Sequence, residues 1–405
     1  MKDISPQTID FVRLHRHDDV RTLALKYGSN KDIDIAFALD QIAGWQTMSK
    51  KNPAWAATEG IVYPQKLSLE QCSSQETANY KADIISRLIH ERNGLHAYFT
   101  LSDLTGGLGV DFACMASRSA KEGEGCVYVE RNETLCGIAR HNLPLLGLPK
   151  AQVVCDEAEN YLAHMQATDV VYMDPARRNA QGGKTVAIAD CTPNVAQLMP
   201  LLTEKTEHVL VKLSPMLDWH KAIEEIAHVK EVHIVEAAGE CKELLLLMER
   251  CCTGKPRIVC AVNGTATAFD ADTAAHPTNV LSRTPEAEQW LYEPSPAIMK
   301  AGVFGELCER HGVKAISRDS HLFVTDEEKP DFPGRRFHIG FVSTMNKKEL
   351  KEAIKTTERA NVAVRNFPLT ADALRRRLHL KDGGNTYIFG TTTATGHHII
   401  IGGEK

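Results

Sequence analysis

Short apolar runs alternate with stretches of helical spacing from about residue 96 to residue 250, and this alternation constrains the fold more than any other feature of the chain. The apolar runs are HAYFTLSD, CVYVE, QVVC, TDVVYM, HVLVKL and VKEVHIVEA. Strands joined by helices of about 10 to 15 residues form a parallel sheet with helices on both faces. The same alternation predicts that KELLLLMER, at positions 242–250, is the last helix. We therefore expect a Rossmann-like α/β domain over residues 93–275.

Two more apolar runs, RIVCAVN and TATAFDA, flank the dipeptide Asn263-Gly264. Asn-Gly is a strong short-range signal for a tight β-hairpin. We therefore expect the parallel sheet to end in an antiparallel edge.

The regions on either side of this domain have different patterns. Residues 1–92 show apolar side chains at near-helical intervals, and Ser73 or Ser74 can cap a long helix there. Towards the other end, helices and strands mix without a regular alternation. We expect a small ferredoxin-like α+β subdomain at 276–330 and a further α+β domain at 331–405.

The composition excludes several classes of protein. The eleven cysteines are scattered and include no CxxC pair, so we expect reduced thiols and neither a disulfide framework nor a metal site. The first residues, MKDISPQTIDF, lack the apolar core of a signal peptide, and no apolar run approaches the roughly 18 residues of a membrane span. The expected location is the cytoplasm, without a membrane partner. The oligomeric state does not follow from these patterns.

The segment SDLTGGLGVDF, residues 102–112, carries the strongest chemical signal. It follows a strand and begins a helix, with Asp103 at the strand end and three glycines at the turn. Glycines let the backbone approach a bulky ligand, and the N–H groups at a helix start bind carboxylates. Asp103 can accept a hydrogen bond from an ammonium group. Taken alone, the loop fits S-adenosylmethionine (SAM), a nicotinamide cofactor or a purely structural turn.

Two more acids follow the next two strands. Glu130 can accept hydrogen bonds from both ribose hydroxyls of a nucleoside cofactor, a position that also suits NAD. Asp156 can accept from an adenine amine, or it can cap the helix that follows. The candidate cofactor-binding residues are Asp103, Thr105, Gly106, Gly107, Gly109, Asp111, Phe112, Glu130, Arg131, Asp156, Glu157 and Ala158.

The segment TDVVYMDPARRN delivers Asp174 and Pro175 to the carboxyl edge of the sheet, where ligands of parallel sheets bind. Two arginines follow, Arg177 and Arg178, which suit a phosphate or carboxylate or pair with acids at a helix start. Lys212 ends the next strand and can contact substrate or pair with an acid. We predict that Arg178 and Lys212 bind substrate.

The glycine-rich loop, the two acids and the Asp-Pro segment, in this order, resemble the class I SAM-dependent methyltransferases, specifically those that act on exocyclic amines or nucleic acids. The resemblance implies SAM as the cofactor. It also implies that Asp174 accepts hydrogen bonds from the target amine and orients its lone pair, so we predict that Asp174, Pro175 and Arg177 are catalytic. Members of this class have Asp-Pro-Pro followed by an aromatic residue that stacks on a base, whereas this chain reads Asp-Pro-Ala-Arg-Arg and has no aromatic residue there.

Several strings resemble a bacterial family of methyltransferases with a THUMP-like C-terminal domain: EQCSSQETANYKAD, DLTGGLGVD, MDPARR, KLSP, FPLTADALRRRLHLKDGG and GHHIIIG. Because THUMP-type modules recognise structured RNA, this resemblance implies an RNA partner. Residues 300–405 contain 18 Lys or Arg and 13 Asp or Glu, a formal charge of +5, against −5 for the whole chain. We predict that Arg375, Arg376 and Arg377 contact RNA phosphates, the alternative being a solvated helix face.

The expected fold is therefore an α/β Rossmann-like SAM-methyltransferase sheet with an N-terminal helical region and a C-terminal α+β THUMP-like domain. The expected function is methylation of RNA, either tRNA or rRNA, at a nitrogen. The segment with Ser73, Ser74 and Lys81 is a candidate lid over the methionyl end of SAM, or simply a surface helix. Three alternatives stay open: a SAM-binding RNA-interaction protein with little or no catalysis, a methyltransferase of proteins or small molecules, and, more remotely, an NAD-dependent oxidoreductase.

Overall fold

The computed structural model describes residues 4–92, 99–177, 188, 191–272 and 275–405. Contacts between residues divide the chain into two compact units. The first unit comprises residues 1–237 and 242–254, and the second comprises residues 238–241 and 255–405.

The first unit begins with helices, as the sequence predicts. They are α1 (Pro6–His15), α2 (Val20–Tyr27), α3 (Ile35–Lys51), α4 (Pro53–Ala57), α5 (Lys66–Gln71) and α6 (Gln75–Glu91). Helices α1 to α3 enclose a small core of their own that includes Phe11, Leu23 and Ile42. Ser74 caps α6 by accepting a hydrogen bond from the backbone N–H of Thr77.

The sheet of the first unit follows these helices. Its strands are β1 (Leu101–Asp103), β2 (Cys126–Glu130), β3 (Gln152–Cys155), β4 (Thr168–Met173), β7 (Thr206–Leu213), β8 (Val229–Ala237) and β9 (Glu240–Glu249), and a separate short ribbon pairs β5 (Ala176–Arg177) with β6 (Cys191–Thr192). The helices between them are α7 (Val110–Ser119), α8 (Glu133–Leu145), α9 (Ala158–His164), α10 (Val195–Lys205) and α11 (Trp219–Glu225). The strand order is β8-β9-β7-β4-β1-β2-β3.

Strands β3, β2, β1, β4 and β7 are mutually parallel, which confirms the Rossmann-like α/β class. Parallel strands all present their carboxyl ends at one edge, so the loops that follow them meet there. Buried tyrosines and branched apolar residues fill the inner strands β2, β4 and β7.

The predicted helix at residues 242–250 is wrong, because these residues form most of strand β9. Strand β9 is antiparallel to β7, with Leu244 opposite Leu213 and Met248 opposite Val209. Every residue from Leu244 to Met248 is buried. A strand covered on both faces has a continuous apolar run without alternation, and such a run cannot be distinguished from a buried helix by periodicity.

The second unit contains the remaining elements. They are β10 (Arg257–Val262), β11 (Thr265–Asp270), β12 (Trp290–Pro294), α12 (Pro296–Ala301), α13 (Phe304–His311), β13 (Lys314–Ala315), β14 (Phe323–Thr325), β15 (Gly334–Thr344), α14 (Lys347–Ala353), β16 (Arg359–Arg365), α15 (Ala371–Arg377), β17 (Lys381–Thr392) and β18 (His398–Glu404). The hairpin predicted at Asn263-Gly264 is confirmed, since Val262 pairs with Thr265.

A seven-stranded sheet in the order β13-β14-β12-β15-β18-β17-β16 organises the second unit. Helices α14 and α15 contribute Leu350 and Leu374 to one apolar cluster, together with Ile388 and Ile400 of the sheet. A second cluster contains Phe337, Phe389 and other residues of the same sheet. Among the helices of the described residues, none combines the length and the hydropathy that a bilayer-spanning helix requires.

Candidate active site

A cleft of about 730 Å³ lies in the first unit at the carboxyl ends of β1, β2, β3, β4 and β7. Its walls come from the loops that follow these strands and from the segment between α5 and α6. Small-molecule sites of proteins typically measure roughly 300 to 1,000 Å³, so the cleft is large enough for a nucleoside cofactor and part of a substrate.

The glycine-rich loop is held in one shape by strand β2. A Cβ atom at position 106 would lie 2.2 Å from the ring of Tyr128, so only glycine fits there. Gly109, immediately before α7, has a φ of 87°, in the left-handed region that favours glycine. The Tyr128 hydroxyl donates to the Gly107 carbonyl at 2.5 Å, and the Gly107 N–H donates to Glu130 Oε2 at 3.0 Å.

Asp103 and Asp174, from the neighbouring strands β1 and β4, are linked through Thr105. The backbone N–H of Thr105 donates to Asp103 Oδ1 at 2.9 Å, and the Asp174 N–H donates to Thr105 Oγ1 at 2.6 Å. Asp103 is only 1% exposed. Burial, with a further contribution from nearby carboxylates, raises its pKa well above the ordinary value. A carboxyl group in this environment favours a cationic partner such as an ammonium group.

The acids that follow β2 and β3 line the cleft as well. Glu130 accepts backbone N–H groups through both oxygens, from Gly107 at 3.0 Å and from Asn132 at 2.8 Å. Asp156 Oδ1 accepts the Glu157 N–H at 2.8 Å. Glu157 is the N-cap residue of α9, so Asp156 lies one residue before the cap.

Beneath the cleft is a buried charged network. Lys81, whose side chain is fully buried, pairs with Glu243 and with Asp111 Oδ1, the latter at 3.2 Å. The hydroxyl of Tyr172 donates to Asp111 Oδ2 at 2.8 Å, and Ser73 Oγ lies at the same distance from that oxygen. Burial would raise the pKa of Asp111, but the two nearby lysines and these hydrogen bonds lower it to about 2.

Lys212 connects this network to Asp174. Its Nζ lies 2.5 Å from Asp174 Oδ2, 3.6 Å from Asp111 Oδ2 and 3.3 Å from Ser73 Oγ. Burial alone would lower the pKa of Lys212, but the surrounding carboxylates raise it above the usual value, so the side chain is a cation. The sequence allows Lys212 either to contact substrate or to pair with an acid, and in the structure it pairs with Asp174.

The residues around the cleft fit SAM. The buried carboxylate of Asp103 suits the ammonium group of its methionyl end. Within the described part of the chain, no side chain caps the start of α7, so its N–H groups suit the methionyl carboxylate. Glu130 and Asp156 are acceptors at the two strand ends beyond the loop, where a ribose and an adenine amine need them. These individual contacts with SAM remain predictions.

Most of the predicted site residues come together in this cleft. Its lining includes Asp103, Thr105, Gly106, Gly107, Gly109, Asp111, Glu130, Arg131, Asp156, Glu157, Ala158, Asp174, Pro175 and Lys212. The structure does not bring the side chain of Phe112 there. Its ring is fully buried and packs edge-to-face against Tyr128, 5.7 Å between centroids. Arg178 and the side chain of Arg177 lie outside the described residues.

The three predicted RNA-contacting arginines lie on α15 of the second unit and differ in their surroundings. Arg375 pairs with Asp372 at 2.7 Å and with Asp382 at 2.8 Å. Arg376 and Arg377 are exposed. Arg376 and Arg377 are thus more accessible to a ligand than Arg375 is. The contact of these arginines with RNA remains a prediction.

Sequence reasoning missed several residues of the site. Glu243 falls within the helix predicted at residues 242–250, and that prediction gives it no place in the cleft. Tyr172 sits inside a buried strand, where no sequence signal distinguishes a site residue from a core residue. The apolar part of the lining, Pro193, Pro215 and Met216, comes from loops whose position depends on the fold.

Comparisons with known proteins give the chain's relatives. Residues 334–405 match a family model described as THUMP domain-like, and residues 290–333 match a ferredoxin-like domain model. Over 318 residues the chain is 22% identical to an uncharacterized SAM-dependent methyltransferase found in two strains of Mycobacterium tuberculosis, covering 78% of this chain and 80% of the relative. A crystal structure from Porphyromonas gingivalis W83, provisionally described as a methyltransferase, is 29% identical, covers 100% of both chains and has a TM-score of 0.83.

These comparisons confirm the predicted resemblance, the predicted enzyme class and the predicted cofactor, SAM. They agree with the glycine-rich loop and the strand-end acids that line one cleft. The chain is therefore related to the SAM-dependent methyltransferases over most of its length, and it carries a THUMP-like domain at residues 334–405.

Proposed function

We propose that the protein methylates RNA at a nitrogen atom. The observation that carries this proposal is the placement of Asp174 in the cleft at the end of β4. Its Oδ2 pairs with Lys212, and among the described residues no other side chain binds its carboxylate, so Oδ1 is available to accept a hydrogen bond from an amine. SAM, when bound, supplies an electrophilic methyl group on its sulfonium.

The chain's own groups suit a neutral amine as the acceptor of this methyl group. Asp174 can hold one N–H and so direct the nitrogen lone pair, and positioning of this kind lowers the barrier without a covalent step. Among the described residues of this network, the carboxylates of Asp174, Asp111 and Glu243 are paired with two lysines. An excess of negative charge stabilises the positive charge that develops on an amine during transfer.

An apolar surface beside Asp174 suits a planar ring. Arg177 stands where related enzymes have an aromatic residue, but Pro175, Pro193 and Met216 line the same cleft. The Met216 side chain is unusually open for an apolar residue, at 69% exposure. Thioether groups pack well against aromatic rings, so this surface supports a nucleobase as the ring that bears the amine.

The RNA assignment draws on the second unit. THUMP-type modules recognise structured RNA, and the match at residues 334–405 supports the same role here. The positive formal charge of residues 300–405 and the exposed Arg376 and Arg377 suit a phosphate backbone. In this proposal, the regions 276–330 and 331–405 dock the RNA and residues 93–275 transfer the methyl group.

The proposal is tested with RNA from a strain that lacks the protein. Purified protein is incubated with this RNA and methyl-labelled SAM, and the nucleosides are then analysed by mass spectrometry. We expect one N-methylated nucleoside, with much less label in RNA from the parent strain, whose sites are already occupied. Label in protein or in small molecules instead of RNA would contradict the RNA assignment, and a methyl group on carbon or oxygen would contradict the nitrogen assignment.

A further inference from the structure

Lys212 lies in the cleft yet is enclosed by acceptors. Its side chain is 13% exposed, and its Nζ has Asp174 at 2.5 Å, Ser73 at 3.3 Å and Asp111 at 3.6 Å. A lysine ammonium group has three N–H donors and no acceptor. Asp174 and Ser73 are within hydrogen-bond distance of this group, and Asp111 lies at ion-pair distance, so the ammonium group is directed mainly towards acceptors of this chain.

A second layer of charges fixes the position of Lys212. Asp111, which faces Lys212 with Oδ2, is held through Oδ1 by Lys81 at 3.2 Å. Lys81 is in turn paired with Glu243, and Ser73 lies between the two lysines, 3.2 Å from Lys81 and 3.3 Å from Lys212. Helices α6 and α7 and strands β7 and β9 thus all contribute to the placement of one ammonium group.

We propose that Lys212 is a positioning residue for Asp174, which fixes the carboxylate through Oδ2 and leaves Oδ1 as the acceptor for the substrate amine. This inference rests on the proposed function. In this proposal Lys212 orients the carboxylate of Asp174 and does not itself bind the substrate.

The charges around Asp174 explain why a cation is needed there. Lys212 faces it from β7, while the acids Asp111, Glu243 and Asp103 face it from α7, β9 and β1. Burial and these acids raise the pKa of Asp174, and Lys212 opposes them. Without Lys212, the carboxyl group would take up a proton more readily and would lose its fixed orientation. A protonated Asp174 would no longer be an anionic acceptor for an amine.

The test replaces Lys212 by methionine, which keeps the length of the side chain and removes the charge. Transfer rates are measured from pH 5 to pH 9 with labelled SAM and whichever fraction of the deletion-strain extract accepts the label. We expect kcat to fall by about 100-fold with little change in KM, as for a misplaced reacting group. The acidic limb of the rate profile should move to higher pH by about one to three units, because an opposite charge at this distance lowers a carboxyl pKa by that much.

Three variants make the outcome specific. Lys212→Arg keeps the charge, so it should keep the wild-type acidic limb and recover much of the rate. Lys212→Gln is a second neutral variant in case the methionine protein does not fold. Lys221→Met, at an exposed lysine of α11, is the matched control and should leave both rate and profile unchanged. A rise in KM for RNA with an unchanged kcat and an unchanged acidic limb would overturn the inference and assign Lys212 to substrate binding.

A second measurement needs no substrate. Aspartate labelled with ¹³C at the γ carbon reports the titration of each carboxyl group by NMR, and Asp174→Asn identifies the signal of interest. We expect that signal to titrate at higher pH in Lys212→Met and Lys212→Gln than in the wild-type protein. An identical titration would refute the role of Lys212, whereas a shifted titration in a protein that labels no RNA would refute only the RNA assignment.

Discussion

Replacing Lys81 by methionine should destabilise the protein strongly, although methionine is a good apolar residue of similar length. In the folded chain the ammonium group of Lys81 is fully buried against Glu243 and Asp111, and its removal leaves two buried carboxylates with one cation fewer. Removing one partner of a buried ion pair costs about 3 to 5 kcal/mol. Lys212 remains 3.6 Å from Asp111, so we expect the cost in the lower half of this range.

The change is measurable by urea denaturation and by thermal melting. For a domain of this size, a loss of 1 kcal/mol lowers Tm by roughly 2 to 4 °C, so a loss of about 3 to 4 kcal/mol should lower Tm by about 6 to 16 °C. The matched control is Lys66→Met. Lys66 pairs with Glu70 at 3.5 Å on the surface, its side chain is 83% exposed, and surface pairs of this kind contribute about 0 to 1 kcal/mol.

The destabilisation should depend on pH in a defined direction. In the wild-type protein the pKa of Asp111 is about 2, below its unfolded value, so its contribution to stability is present at neutral pH and is lost as pH falls towards 2. In Lys81→Met, Asp111 loses one of its two cations, so its folded pKa rises. The deficit relative to wild type should therefore be smaller at pH 5 than at pH 8.

The double variant Lys81→Met, Glu243→Gln separates charge from packing. It removes one of the two stranded carboxylates, so it should be more stable than Lys81→Met alone. The reasoning is refuted if Lys81→Met loses less than about 1 kcal/mol, or if the double variant is as unstable as the sum of the two single variants.

Three further predictions concern the ligands. Asp103→Asn should weaken SAM binding by about 10- to 150-fold, which is the contribution of a hydrogen bond to a charged group. The affinity of the wild-type protein should also fall as pH is lowered through the raised pKa of Asp103, because a protonated acid accepts poorly from an ammonium group. Binding that calorimetry shows to be independent of pH would contradict this. Asp174→Ala should keep most of the SAM affinity but lose methyl transfer, and a near wild-type single-turnover rate would show the role to be misassigned. Replacing Arg376 and Arg377 by alanine should weaken binding to structured RNA and reduce its dependence on salt, while Arg375→Ala should do less because two aspartates already pair with it; equal effects in filter binding would contradict this difference.

The sequence predicts the part of the fold in which strands and helices alternate, but it does not predict strand β9, where this alternation ends. The parallel strands β1, β2, β3, β4 and β7 follow from apolar runs that end in Asp103, Glu130, Asp156, Asp174 and Lys212, so their meeting at one edge is predictable. Strand β9 is not, because its leucines are covered on both faces and leave no period that distinguishes a strand from a helix.

The same limit applies to the site. Gly106 and Gly109 can be predicted as site residues from their type, because a side chain at either position would clash or strain the backbone. Residues that act through partners distant in sequence cannot be predicted in this way. Lys81 and Glu243 are 162 positions apart, and the meaning of either charge depends on the other. Phe112 is a different case, because it lies inside the glycine-rich motif but its ring is buried in the core.

The origin of Lys81 in helix α6 has a practical consequence for how the protein can be divided. A fragment that begins at residue 93 would look complete by motif, since it retains the glycine-rich loop and every acid of the cleft. It would nevertheless lack the ammonium group that neutralises Asp111 and Glu243, as well as the hydroxyl of Ser73. Helix α6 therefore supplies, through Lys81, a positive charge that the buried acids beneath the cleft require. Truncated variants, chimeras and evolutionary comparisons should therefore keep α6 and the sheet together.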